Sequence, residues 1–323
     1  MKITVLDGYT LNPGDNPWDS LAELGELTVY DRTRPEEVAE RTADTDILVL
    51  NKTEIKADDL KNMTKLKLIS VLAAGYNVVD IKAAGKYGIP VCNTPAYGVD
   101  AVAQHAMALL MEFCRNVAGH DLSVKAGEWA DAKDWCYWHS PQRELSGLTM
   151  GIIGFGHNGR RVGELAHAFG MNVITYTIPE TNPPAYQPFR FVSLEKLFQE
   201  SDVISLHCPL TDETHELVNA RTIALMKQGA IVINTSRGQI IHEQDVADAL
   251  HSGKLAGYGT DVLSVEPPSA DNPLLKAPNT LITPHIAWAT LKARKNIMQI
   301  TAENIKSFQA NTPVNVVNTA FLK

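Results

Sequence analysis

The chain has 323 residues, 45% hydrophobic and 20% charged, with a formal net charge of -8. That length exceeds what one hydrophobic core usually serves and predicts two domains, while the composition excludes disordered and fibrous architectures. A net-negative chain without a Lys/Arg run excludes nucleic acid and anionic membrane surfaces as partners, although a small anionic substrate needs only one local cation.

The first eight residues, Met-Lys-Ile-Thr-Val-Leu-Asp-Gly, alternate like a strand and lack the apolar stretch and cleavage site of a signal peptide. No apolar run approaches the roughly 20 residues that cross a bilayer, so the cytoplasm is the expected compartment. Cys92, Cys114, Cys136 and Cys208 form no C-x-x-C pair. They are expected to be reduced and mostly buried, with neither a metal site nor a disulfide framework.

Short apolar runs at 3–6, 27–30, 47–50, 68–72 and 91–92 alternate with helical patterns, which predicts a parallel sheet covered by helices. Residues 99–115 follow as a long helix, with Val102, Ala106, Leu109, Leu110 and Phe113 at helical spacing. A second series of six strand candidates spans 151–153, 173–176, 203–207, 230–234, 257–262 and 281–283, the count of a full dinucleotide-binding sheet. Ile297, Met298, Ile305 and Phe308 then share one stripe of a late helix, and 313–317 reads as a closing extended segment. The expected fold is α/β, with two Rossmann-like doubly wound domains. Residues 1–98 and 288–323 form the substrate-binding domain, and the dinucleotide-binding domain, 99–287, is inserted into it.

Gly154-x-Gly156-x-x-Gly159 follows an apolar run and opens a helix whose apolar face is read as Val162, Leu165, Ala166 and Phe169. In that context the first glycine makes a tight turn, the second lets the backbone approach a pyrophosphate, and the third packs helix on strand. Gly154, Gly156, His157, Asn158 and Gly159 are thus expected to hold a dinucleotide at the helix N-terminus. The acid that usually reads the adenosine ribose is missing. Thr177 stands there instead, and the nearest cation in sequence is Arg190. NAD is the expected cofactor, with NADP left open.

Three further stretches fall just beyond strand ends: 234–238, 261–267 and 283–287. Together with the glycine turn, the order Arg237, Glu266, His285 resembles the D-isomer-specific 2-hydroxy acid dehydrogenase family over nearly the whole chain. The chemistry agrees. A guanidinium fork binds a 2-keto acid's carboxylate and polarises its ketone, so Arg237 takes that role. Hydride arriving at C2 leaves an alkoxide that needs a proton, which an imidazolium such as His285 can give. A carboxylate beside that ring favours its protonated form and fixes its tautomer, the role of Glu266.

The resemblance further implies cofactor contacts at Cys208, Pro209, Thr214, Thr235, Ser236, at Asp261 for the nicotinamide carboxamide, and at Val102. It implies substrate contacts at Ala74 and Gly75 of the loop 72–77, at Asn51, and at Trp138 alongside Arg237 and His285. The opening Leu6-Asp7-Gly8-Tyr9-Thr10, the aromatic arm 135–138 and the segment 285–290 are similar to the glycerate dehydrogenase, or hydroxypyruvate reductase, branch. That branch implies hydroxypyruvate or glyoxylate as substrate and a homodimer formed through the arm, with Trp138 reaching the neighbouring active site. A D-lactate or aryl-lactate dehydrogenase is the alternative enzyme reading. A dinucleotide-sensing corepressor-like module is the alternative of another class.

Overall fold

A computed structural model describes residues 1–322, which divide into two compact units: Met1–Gly98 with Trp288–Lys323, and Val99–Ala287.

The first unit holds β1 (Lys2–Val5), β2 (Glu26–Val29), β3 (Ile47–Leu50), β4 (Leu68–Val71) and β5 (Val91–Cys92) in one parallel sheet of order β2-β1-β3-β4-β5. Every residue of β3 and β4 is buried, as the unbroken runs Ile-Leu-Val-Leu and Leu-Ile-Ser-Val require of strands covered on both faces. One face packs Ile3, Val5, Ile47 and Val49 on Ile297, Met298 and Ile305 of the helix Leu291–Gln309. The other gathers Leu48, Leu50, Ile69 and Val71 with Leu60, Ala83 and Ala84.

The stretch 313–317, expected to close the sheet, makes a single antiparallel bridge, Val316 with Cys92, formed by Val317 N on Val91 O at 2.8 Å and Asn93 N on Asn315 O at 3.1 Å. Pro313 has no N–H to give, and Asn315 takes a left-handed φ of 54°, so no ladder propagates.

The second unit begins with the helix Val99–Arg115 and continues through β6 (Thr149–Ile153), the helix His157–Ala168, β7 (Asn172–Tyr176), β8 (Phe189–Phe191), β9 (Val203–Leu206), β10 (Ala230–Asn234), β11 (Leu255–Thr260) and β12 (Thr280–Ile282). The sheet is parallel, with the order β12-β11-β10-β9-β6-β7-β8. It has seven strands where the sequence reading has six. The extra one, β8, is a three-residue edge strand whose Phe189 and Phe191 rings cluster with Phe155 at centroid distances of 5.1 and 6.5 Å.

Val162 and Ala166 of the helix after the glycine turn are buried, but Phe169 lies beyond its last turn and is 45% exposed, so it is not part of the apolar face. Leu109 and Phe113 of Val99–Arg115 lie directly on β11. A Cβ added at Gly257 would stand 2.6 Å from the Phe113 ring, which is why glycine interrupts this strand.

Candidate active site

Strand order in the second unit reverses between β6 and β9, where an open α/β sheet forms its ligand crevice. The glycine turn sits there. Gly154 has φ 90°, and a Cβ on it would stand 2.5 Å from Cys208 N, so the turn presses against the loop after β9. A Cβ on Gly159 would stand 2.1 Å from Gly154 O. Gly156 differs: its backbone is extended, and an added Cβ would meet no atom within 4 Å.

The helix behind it, opening with His157, Asn158 and Gly159, has no side-chain cap, so its first N–H groups point at whatever lies beyond Gly156. Thr235 Oγ1, at the end of β10, is buried without a protein partner. Open backbone, an uncapped helix start and an orphan hydroxyl fit a bound dinucleotide.

Thr177, just past β7, is half-buried. The Arg190 side chain turns to Glu200, 2.7 Å away, whereas the Arg160 guanidinium reaches the loop after β7. It donates to the Thr181 carbonyl at 2.7 Å and to that of Asn182.

After β9, burial pushes the Cys208 thiol up to about 11. The Cys208 carbonyl accepts from Ser236 Oγ at 2.5 Å, and that of Pro209 accepts from Thr214 Oγ1 at 2.7 Å. These residues thus form one tied cluster beside Gly154. Val102, half-buried, lies on the long helix of the same unit.

Arg237 is aimed by Asn234. From the buried end of β10, Asn234 Oδ1 accepts Ser236 N at 3.0 Å and Nδ2 donates to Arg237 O at 2.9 Å. Arg237 Nη1 donates to the Ser236 carbonyl at 2.7 Å. The next residue must be glycine, because a Cβ on Gly238 would stand 1.9 Å from the Leu263 carbonyl carbon. The Arg237 loop and the loop carrying Glu266 therefore touch, backbone to backbone.

His285 and Glu266 are brought together directly. His285 Nδ1 and Glu266 Oε2 are 2.6 Å apart, and Glu266 Oε1 accepts Leu263 N at 3.1 Å. This pairing puts a proton on Nδ1 and turns Nε2, across the ring, away from the carboxylate. The two side chains are 26% and 33% exposed, so a solute can reach them.

Asp261, 2% exposed, has both carboxylate oxygens engaged. Oδ1 accepts Thr283 Oγ1 at 2.6 Å and Ile286 N at 2.8 Å, and Oδ2 accepts Ala287 N at 2.7 Å. Those bonds fix the loop around His285, a task that the sequence reading did not give Asp261. It also missed His105, whose Nε2 lies 2.8 Å from Thr283 Oγ1. Asn234 carried a signal, a short polar residue closing an apolar strand before a turn; His105 carried none.

Other expected site residues lie in the first unit. Asn51, buried after β3, donates from Nδ2 to Thr10 Oγ1 at 3.2 Å. Ala74 and Gly75 follow β4 in a loop anchored by its carbonyls, with Thr94 N on Ala73 O at 3.0 Å and Asn93 Nδ2 on Ala74 O at 2.8 Å. Trp138, in the second unit, is 64% exposed. Among the described residues no cluster of His, Cys, Asp and Glu is arranged to hold a metal ion, and no helix is long and apolar enough to cross a membrane.

Residues 107–287 match the model of the D-isomer specific 2-hydroxyacid dehydrogenase, NAD binding domain. The chain is 49% identical to a hydroxypyruvate reductase of Blautia hydrogenotrophica over 98% of its length and 100% of the relative's. It is 37% identical to a glycerate dehydrogenase of Methylorubrum extorquens over 98% of each. Among solved structures, the D-lactate dehydrogenase of Aquifex aeolicus, complexed with NAD and lactic acid, superposes with a TM-score of 0.84 at 30% identity, covering 97% of this chain and 96% of that one.

Proposed function

Because the chain belongs to the D-isomer specific 2-hydroxyacid dehydrogenase family, we propose that it reduces hydroxypyruvate, and more slowly glyoxylate, to the corresponding hydroxy acid, with Arg237, Glu266 and His285 as its catalytic residues. The observation that carries this reading is the 2.6 Å contact between His285 Nδ1 and Glu266 Oε2, on a loop packed against that of Arg237.

When bound, reduced NAD would supply a hydride for C2 of the keto acid. Arg237 holds the substrate carboxylate with its guanidinium fork and draws electron density onto the ketone oxygen. His285, protonated on both nitrogens, gives the Nε2 proton to that oxygen as the C–O bond becomes an alkoxide, and keeps Nδ1–H on Glu266. Glu266 balances the imidazolium charge and holds the ring at one angle. Gly156 and the amides of His157 and Asn158 take the pyrophosphate. Cys208, Pro209, Thr214, Thr235, Ser236, Asp261 and Val102 border the rest of the cofactor, with Thr177 at the ribose. Asn51 and the Ala74 and Gly75 amides are assigned to the substrate.

The same reading makes the enzyme a cytoplasmic homodimer. Trp135 and Trp138 are 86% and 64% exposed, and Val117 and Leu122 add 66% and 68% exposed apolar side chains to the same unit, a density uncommon on monomers. The four cysteines are free, which suits a reducing compartment. Sedimentation at micromolar concentration should give the mass of two chains, and a Trp135→Ser, Trp138→Ser variant that of one.

Initial rates with hydroxypyruvate, glyoxylate, pyruvate and phenylpyruvate, each with NADH and NADPH, test the substrate assignment. Hydroxypyruvate with NADH should give the highest kcat/KM; a higher value for pyruvate or phenylpyruvate would replace it with a lactate or aryl-lactate reading.

A further inference from the structure

We propose that His105, on the helix Val99–Arg115, is a positioning residue for His285 that acts through Thr283 and Asp261. The proposal rests on His285 being the proton donor.

One hydrogen atom sets the direction of this chain. Thr283 Oγ1 stands 2.6 Å from Asp261 Oδ1 and 2.8 Å from His105 Nε2. The buried carboxylate only accepts, so the single hydroxyl proton of Thr283 goes to it. His105 must therefore donate from Nε2–H to the Thr283 oxygen. That bond turns the hydroxyl towards Asp261 and away from the Thr260 carbonyl, its weaker alternative at 3.5 Å. His105 Nε2 is itself 3.6 Å from Asp261 Oδ1, so the imidazole also lends positive potential to a carboxylate bonded otherwise by neutral groups.

Asp261 passes the restraint to His285. Its two oxygens take the amides of Ile286 and Ala287, the residues that follow the histidine. The His285 amide bonds to the Asp261 and Thr283 carbonyls at 2.9 and 3.0 Å. Between these anchors His285 holds φ 54°, a left-handed conformation that disfavours any residue with a Cβ. Freed from Asp261, the backbone relaxes toward negative φ and swings the ring off Glu266. A reacting group misplaced by about 1 Å loses up to about a hundredfold in rate.

The test compares substitutions that keep or remove the two hydrogen-bonding groups. His105→Gln retains an N–H donor near the Nε2 position, and Thr283→Ser retains the hydroxyl; His105→Leu and Thr283→Val remove them. With NADH and hydroxypyruvate, His105→Leu and Thr283→Val should each lower kcat by about tenfold or more. The double variant should lose no more than either single one, because both break the same chain. His105→Gln and Thr283→Ser should stay within about threefold of wild type, and NADH affinity by fluorescence titration should be unchanged in all.

Wild-type kcat in His105→Leu would overturn the proposal. So would multiplicative losses in the double variant, or a His105→Gln variant as slow as His105→Leu. If His105→Leu does not fold, the Thr283→Val and Thr283→Ser pair decides. A parallel His285→Gln variant separates the premise: if it keeps turnover, the assignment of His285 has failed, whatever the His105 variants do.

Discussion

A left-handed backbone at a histidine is held only under restraint, and at His285 the restraint delivers a ring whose Nδ1 meets Glu266 Oε2 at 2.6 Å. Two substitutions separate the proton from the charge. His285→Gln keeps a side chain of similar reach but has no proton to give near neutral pH. Turnover should fall by at least about a hundredfold, while NADH titration by fluorescence remains as in wild type. Glu266→Gln keeps an acceptor for Nδ1–H and removes only the negative charge. Removing the charge that faces the proton donor should lower kcat for reduction by about tenfold or more, with NADH affinity unchanged. A wild-type kcat would mean that the charge of Glu266 plays no part in reduction.

Among the elements, the three glycines of the turn separate into two kinds. Gly154 and Gly159 meet backbone atoms at 2.5 and 2.1 Å, so alanine at either should unfold the helix start from its strand and lower the thermal midpoint. Gly156 has extended backbone and open space before it. Gly156→Ala should leave the thermal midpoint unchanged yet weaken NADH binding by about tenfold, ~1.4 kcal/mol. A midpoint lowered as far as in Gly159→Ala, or an unchanged NADH affinity, would remove the pyrophosphate from that position.

This turn was legible because its spacing stands between an apolar strand and an amphipathic helix. The helix Val99–Arg115 was legible because one stripe of its side chains is apolar over four turns. The strand β8 was not, since three residues with an exposed Arg190 in the middle form no pattern. Nor was the support beneath the proposed site. His105 and Thr283 are 178 residues apart and meet only because the long helix crosses onto β11 beside β12. The resemblance picks out the residues assigned to substrate and cofactor, whereas those that hold them in place depend on tertiary packing.

Across the whole molecule, acid should act on the second unit before it reaches the paired carboxylates of the first. His207, at the end of β9, is bonded through Nε2 to Ser205 Oγ at 2.8 Å, and burial holds its ring down at about 4, from an ordinary 6.5. A group depressed in this way binds its proton in the unfolded chain first, so its contribution is intact above 6.5 and is lost as pH falls towards 4. Its full size is about 3 kcal/mol, a ceiling because the residue is only half-buried and water screens it. The carboxylates of the first unit, Asp15, Glu37, Asp44 and Asp46, are shifted in the same direction but start from the lower, ordinary carboxylate range. Lys2 and Lys65 hold Asp44 at about 2, and stability from such pairs persists until pH falls below the ordinary carboxylate range. Between pH 6.5 and 4.5, then, the fall in stability should come mainly from one ring. Calorimetry over that window should show the wild-type midpoint dropping while His207→Gln, which retains a polar partner for Ser205 without a titrating proton, stays nearly level. Parallel curves for the two proteins would assign the acid limb elsewhere.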